Sequence, residues 1–416
     1  MKKHPVKIIQ KLLHGAEVEW KRLGEVAEIY GGLTGKNKSD FENGNARYIS
    51  YKNIFDNIEI NFEPLEMVEV SDSEAQHAVR YGDVLFTGSS ETAIEAGMSS
   101  AVTIEFAEKV YLNSFSFGVR FDEDVQLMPE FSKYLFRSYF MRREIAKTAN
   151  GVTRFNVSKS SFKKIPIPIP PIKVQKKIVE ILDTFTELTA ELTAELTARK
   201  KQYTYYRDQL LSFEEGEVEW KRLGEVGEFR RGKRFVKKDM ISEGIPCIHY
   251  GEMYTHYKTW ATETKSFISE ELAKKLRFAQ KGDVIIVGAG ETIEDIGKGT
   301  AWLGDSDVVI HDACFSFKSP LEPKYVAYFS RTRLFHDQIR RHISSGKISA
   351  INAKGLSKVM IPIPPLKEQK RIVSILDKFD ALVNSITEGL PREIELRQKQ
   401  YEYYRDLLLS FPKKEE

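Results

Sequence analysis

Apolar residues recur about four apart through the middle of the chain, at Leu182, Phe185, Leu188, Leu192 and Leu196, and the stripe continues to Tyr203, Tyr206 and Leu210. Within it the letters Glu-Leu-Thr-Ala occur three times in succession. Four residues overshoot one helical turn by only about 40°, so the leucines stay on one slowly drifting face. The spacing predicts a long amphipathic helix whose length is adjustable in units of one turn. A second stripe runs through Ile372, Leu376, Phe379, Val383, Ile386, Leu390 and Ile394 to Tyr401 and Leu408. Each stripe must be covered, and the simplest cover is the other, in an antiparallel coiled-coil-like spacer. Two unrelated helices, each packed on its own domain, remain the alternative. Gly389 and Pro391 predict a kink or an interruption in the second helix.

Outside the stripes the period changes. "ARYISYKNI" (46–54), "DVLFTG" (83–88) and "DVIIVG" (283–288) alternate as short strands do, and Gly, Asn and Asp break them. "EFSKYLFRSYFMRREIAKTA" (130–149) and "KYVAYFSRTRLFHDQIRRHI" (324–343) have helical spacing. Each such region ends in "IPIPIPP" or "IPIPP", which must be extended.

The chain is written twice. "VEWKRLGEV" stands at 18–26 and at 218–226, "YGDVLF" (81–86) answers "KGDVII" (281–286), and "SFSF" (114–117) answers "CFSF" (314–317). "IPPIKVQKKIVEILD" answers "IPPLKEQKRIVSILD", and "KQYTYYRDQLLSF" answers "KQYEYYRDLLLSF". The repeat units are 1–213 and 214–416, nearly identical in the entry segment and the helix and divergent between. The fold class expected is α+β, with two tandem α/β domains separated by two long antiparallel helices in a pseudo-twofold internal repeat. The boundaries expected are 1–165 and 214–360 for the domains, and 166–213 and 361–416 for the helical spacers.

Composition narrows the class. With 416 residues, 41% hydrophobic and 30% charged, the chain reads as globular, and two cysteines are too few for a disulfide framework. The start shows no signal peptide, and no apolar run approaches a membrane span, so a cytoplasmic location is expected. A net charge of +3 permits a nucleic-acid partner without arguing for one. The stretch "VGAGETIEDIGKGT" (287–300) has Ile293 where a dinucleotide fingerprint needs Gly, and Thr292 and Gly299 where a P-loop needs Gly and Ser or Thr. Cys247 with His249, and His311 with Cys314, lack a second paired set for a metal. No catalytic constellation and no cofactor site is found.

What the divergent regions carry are residue types that read DNA. The basic loops "GGLTGKNKSD" (31–40) and "RRGKRFVKKD" (230–239) offer Lys36, Lys38, Lys233 and Arg234 to phosphates. Further candidates are Tyr51, Lys52 and Asn53 in "SYKN", Ser89 and Ser90 in "TGSSET", and Arg154 and Asn156 in "GVTRFN". In the second half they are Tyr250 and Glu252 in "HYGE", and Lys347 and Asn352 in "GKISAIN".

The duplicated order of variable region, "IPIPP" with a following Gln, "ILDxF", long helix and "KQYxYYRDxLLSF" resembles the specificity (S) subunits of type I restriction–modification systems. The tandem "TAEL" and the segment "SITEGLPREIELRQKQYEYYRDLLLSF" resemble one subgroup of that family. The resemblance implies two target-recognition domains reading the halves of a split, asymmetric site in double-stranded DNA. It implies docking of two methyltransferase (M) subunits, which carry S-adenosylmethionine, and of restriction (R) subunits, which use ATP and Mg. This chain would then be non-catalytic. A stand-alone DNA-modifying enzyme and a coiled-coil scaffold without a DNA role are the alternatives. The repeat ends further predict that residues near the two termini lie close together, and antiparallel helices about a pseudo-twofold axis predict that the two domains face DNA in opposite orientations and so address opposite strands.

Overall fold

The computed structural model describes residues 5–412 apart from Pro64, Ser345, Lys347 and Ile386, with side chains from Ile9 onward. Two candidates named above, Lys347 and Ile386, lie outside the described residues. The chain forms two compact units, one of residues up to Glu191 together with those from Ile394 on, the other Leu192–Glu393.

The first stripe is one uninterrupted helix, Ile172–Leu210, of 39 residues. The second is two helices, Leu366–Asn384 and Gly389–Leu408. Ser385 leaves the helix with φ −69° and ψ 135°. Gly389 has φ +76°, and a Cβ there would lie 2.5 Å from the carbonyl oxygen of Ala381. Only glycine fits that turn, and Pro391, which has no N–H to offer, is tolerated in the first turn of the next helix. The pair interrupts the helix rather than kinking it.

In the first unit the central sheet is antiparallel, in the order Ala27–Gly31, Ser116–Phe121, Val84–Thr87, Ser99–Ala101. Its inner face carries Phe86 and Phe117, which pack with Phe136 and Phe162 in a fully buried aromatic cluster. The second unit repeats the sheet as Glu228–Arg231, Cys314–Lys318, Val284–Val287, Gly299–Trp302, and adds Trp260–Ala261 in parallel. The duplicated entry strand Glu19–Arg22 pairs antiparallel with Pro166–Ile169, and Glu219–Arg222 with Met360–Ile363. Prolines at alternate positions remove donors from one edge only, so Pro166 and Pro168 sit in a two-stranded ladder without breaking it.

Register corrects one match made by letters. Phe117 pairs with Phe86, whereas Phe315 pairs with Ile286 and Phe317 with Val284. Phe117 therefore corresponds to Phe315, and "SFSF" and "CFSF" are offset by two residues in space. A slip of two keeps every side chain on its own face, so the alternation pattern tolerates it.

The duplicated helical motifs interlock across the repeat. In the first unit Phe185 of the first "ILDxF" stacks on Tyr404 of the second "YYRD", with centroids 5.3 Å apart. In the second unit Phe379 stacks on Tyr206 at 5.5 Å. Asp406 accepts the N–H of Tyr139 at 2.9 Å, at the start of the helix Tyr139–Ala146, and Asp208 accepts that of Arg333 at 3.4 Å in the other unit. A carboxylate there meets the free N–H groups and the positive end of a helix. The motif aspartates of "ILDxF" receive tyrosine hydroxyls, Tyr134 on Asp183 at 2.6 Å and Tyr328 on Asp377 at 2.8 Å. Each helix start is fastened by a buried glutamine. Gln175 accepts from Met128 N and donates to Gln126 O and Pro170 O, and Gln369 bonds Glu322 N and Pro364 O in the same way.

The spacer stripe is covered unevenly. Leu182, Leu376 and Val383 are buried, Phe185 and Phe379 pack partly buried on the two cores, and Leu196 joins the second core. Leu188 and Leu192 are half-buried. Ile9 and Leu13 share the first core with Leu408, Leu409 and Phe411, and Trp20 Nε1 donates to the carbonyl of Pro412 at 3.0 Å. Residues near the two ends thus meet in one unit, as the repeat ends predict.

Candidate nucleic-acid interface

Three segments that are far apart in the chain converge in each unit. In the first, the short helix Tyr51–Asp56 begins where the strand Ala46–Ile49 ends, capped by the Ser50 side chain. The Tyr51 hydroxyl donates to the carbonyl of Ser89 at 2.8 Å, and its ring stacks on Phe55. The strand Phe155–Val157 pairs with Ser89–Ser90, so "TGSSET" and "GVTRFN" form one small sheet. Together Tyr51, Phe55, Ser89, Ser90, Glu91, Glu95, Thr153 and Arg154 line a cleft of about 540 Å³.

The second unit builds the same junction with other side chains. The helix Tyr250–Thr255 follows the strand Ile245–Ile248, and Ala289–Gly290 pairs with Ser349–Ala350. Here the tie to the glycine loop comes one turn later, from the Tyr254 hydroxyl to the carbonyl of Ala289 at 2.7 Å. A Cβ at position 290 would lie 2.4 Å from that hydroxyl. Gly290 is therefore small to admit Tyr254, which accounts for part of the glycine-rich stretch without a nucleotide.

Several candidates have other work. Lys36 pairs with Glu74 at 2.6 Å with its side chain only 5% exposed, and this bond holds the Glu74 carboxyl at about 2. Asn53 is spent on the loop after its helix, accepting Asn61 N at 3.1 Å and donating to Asn61 O. Glu252 is buried, caps the N–H of His249 and accepts the Ser266 hydroxyl. Asn352 caps the helix Ala353–Ser357 through Gly355 N at 2.9 Å. Lys233 donates to the carbonyl of Lys275 at 2.9 Å. Asn53 and Glu252 are bonded within the fold through both polar atoms of their side chains, which takes them from base reading, whereas Asn352 uses its oxygen alone and Lys233 one of its three donors. Lys38, Lys52, Arg154, Asn156 and Arg234 are exposed, Tyr250 and Ser90 are half-buried, and Ser89 is buried beneath Arg154.

Sequence reasoning missed Phe55 and Phe115, left Glu91 and Thr153 unnamed within the quoted stretches, and weighed His249 and His311 only as metal ligands. No chemical motif marks them, and only the repeat register exposes them as equivalent positions. His249 and His311 lie with ring centroids 4.4 Å apart, against Tyr250 and Phe235. Their Nδ1 atoms accept backbone N–H groups, from Gly251 at 3.2 Å and Ala313 at 3.1 Å. In the first unit Ser50 and Asn113 hold these places, Asn113 likewise accepting the N–H two residues on. Burial, reinforced by the neighbouring His249, pushes His311 down to about 4, and burial lowers His249 too. Arg234 and Lys237 on the basic loop push the same way, against Asp312 and Glu252.

A depressed histidine stabilises the fold above its unfolded value of 6.5, and that stability is lost as pH falls toward 4. The second unit is expected to lose on the order of 1 kcal/mol by pH 5, after solvent screening. Denaturant unfolding followed by a probe in the second unit should show this, and His311→Asn should flatten the profile between pH 7 and 5.

Burial also pushes the Cys247 and Cys314 thiols up to about 12, so they stay neutral. Among the described residues no group of three or more His, Cys, Asp or Glu is placed to hold a metal ion, and no helix is long and apolar enough to cross a membrane.

Two junctions of one design, differing in the side chains they present, are what a pair of reading heads requires. The family model for the type I restriction modification DNA specificity domain matches residues 16–199 and again 215–396. The chain belongs to this family.

Its role is therefore DNA specificity within a type I restriction–modification system, and not catalysis. Over 98% of both chains it is 34% identical to the EcoR124I/EcoR124II specificity subunit of Escherichia coli. It is 29% identical to the EcoprrI specificity subunit of the same organism, over 91% of this chain and 92% of that one. The fold is similar to a chain solved in work on complex assembly and conformational transition of the type I R-M system (TM-score 0.66, 20% identity, 95% of this chain and 98% of that one). It is also similar to the HsdS subunit from Thermoanaerobacter tengcongensis (TM-score 0.51, 19% identity, 95% and 96%).

Proposed function

We propose that the chain reads a split, asymmetric site in double-stranded DNA, one half with each recognition domain. It docks two methyltransferase subunits and, through the assembled complex, restriction subunits, and it works in the cytoplasm. The recognition domains are residues 1–165 and 214–360, and the helical spacers are 166–213 and 361–416. The observation that carries this reading is the three-segment junction present in both units with non-equivalent side chains: Tyr51, Ser89, Ser90 and Arg154 in one, Tyr250, Tyr254, Gly290 and Ser349 in the other. Lys38, Lys52 and Arg234, exposed nearby in sequence, supply phosphate contacts that position without selecting. Asn156, exposed on the strand beside Arg154, is a second base-edge candidate.

Strand-resolved methylation sequencing of cells expressing this chain with its cognate methyltransferase subunit tests the proposal. The expected result is one bipartite motif with one modified adenine on each strand. A single continuous motif, or both adenines on one strand, would refute it.

A further inference from the structure

Arg154 is held in a way that leaves its reading end open. Its Nε donates to the Ser89 hydroxyl at 3.0 Å, and its guanidinium lies 5.9 Å from the ring centroid of Phe115. Ser89 is itself buried and fixed by the register between Ser89–Ser90 and Phe155–Asn156. The guanidinium is thus tethered through Nε before any ligand arrives, and its end-on pair of terminal nitrogens has no hydrogen-bond partner among the described residues. This fork fits two acceptors side by side, the pattern that guanine O6 and N7 present in the major groove. A phosphate would offer acceptors too, but Glu91 and Glu95 line the same cleft. Carboxylates repel a phosphate, whereas they accept hydrogen bonds from the N4 amino group of a cytosine.

The register also identifies the counterpart. Phe155 pairs with Ser90 and Ser349 with Gly290, so the residue before each strand is Arg154 in the first unit and Ile348 in the second. Ile348 is 62% exposed, although it is apolar. An exposed aliphatic side chain at a base-reading position matches the C5 methyl of thymine.

We propose that this position selects one base in each half-site, guanine through Arg154 and thymine through Ile348. The inference rests on the reading of the chain as a bipartite DNA reader. The test is methylation of a randomised DNA library by the complex of the full chain with its methyltransferase subunit, for wild type, Arg154→Ile and Ile348→Arg. Arg154→Ile should relax discrimination at one guanine of the first half-site by roughly ten- to a hundredfold and leave the second half-site intact. Ile348→Arg should replace a thymine by a guanine preference in the second half-site alone. With DNA in which uracil replaces thymine, the wild type should lose several-fold at that second-half position and nowhere else in the half-site.

A motif unchanged by both substitutions overturns the inference, as does a uniform loss over all sequences, which is the signature of a phosphate contact. The intact half-site in each variant reports that the chain is folded and assembled. A wild-type complex that yields no bipartite motif refutes instead the reading on which the inference rests.

Discussion

Insertion of one further Thr-Ala-Glu-Leu after Leu196 is expected to leave both half-sites unchanged and to lengthen the preferred gap between them by one or two base pairs. The helix Ile172–Leu210 is unbroken, so four added residues lengthen it by about 6 Å. DNA rises about 3.4 Å per base pair, which makes that length a little under two base pairs. The insertion turns the stripe by only about 40°, so Leu188, Leu192 and Leu196 stay near the cover they already have. That stripe can absorb the change because Leu188 and Leu192 are half-buried rather than locked in a core. Inserting three residues turns the stripe by about 60° the other way and is expected to impair assembly. Methylation of a library with fixed half-sites and varied spacers measures the gap. An unchanged gap in an active complex would show that the helix is not the ruler.

Asp83→Ala is expected to cost about 3–5 kcal/mol, and the equivalent Asp283→Ala much less. Asp83 is almost fully buried and receives Arg120 through two bonds, Nε to Oδ1 at 2.8 Å and Nη2 to Oδ2 at 2.6 Å. It also accepts the Tyr30 hydroxyl at 2.6 Å and Arg80 N at 2.8 Å. Removing it strands the buried Tyr30 phenol, unpairs a partly exposed guanidinium and leaves a cavity, and breaking a largely buried pair from one side carries that order of penalty. Asp283 keeps the turn bond, from Gln280 N at 2.9 Å, and burial without a bonded cation raises its carboxyl above the usual range. Global stability of a domain is only about 5–15 kcal/mol, so Asp83→Ala should remove a large share of it and weaken methylation of the first half-site first as temperature rises. Denaturant unfolding of both variants, with methylation at each half-site, compares them. Equal costs at the two positions would mean that the Arg120 pair contributes little.

Those two aspartates stand in the same letters, "GDV", and only their neighbours in space differ. Legibility in the sequence followed that division throughout. Local periodicity determines helices and strands because backbone geometry repeats every 3.6 or 2 residues regardless of context. The long helix, the extended proline segments and the interruption near Gly389 were therefore readable, as was the duplication. The candidate site was readable as segments, since "SYKN", "TGSSET" and "GVTRFN" do meet. It was not readable as side chains. Asn53 and Glu252 look like base readers by type, yet their partners in the fold occupy both ends of their side chains.

The sequence by itself determined the duplicated plan, the amphipathic stripes and, through the family match, the role of the chain. Tertiary structure alone decided which side chains of each motif meet which residues of the domain they pack on. "YYRD" of one repeat caps a helix in the recognition domain of the other, at Asp406 with Tyr139 and Asp208 with Arg333. The first "ILDxF" and the first "YYRD" lie on one unbroken helix, about 30 Å apart at 1.5 Å per residue, so they cannot pack on each other and each meets the other repeat's copy. Those contacts join residues more than a hundred positions apart, as where Phe185 is buried on Tyr404 and Phe379 on Tyr206, and local periodicity carries no information about such pairs.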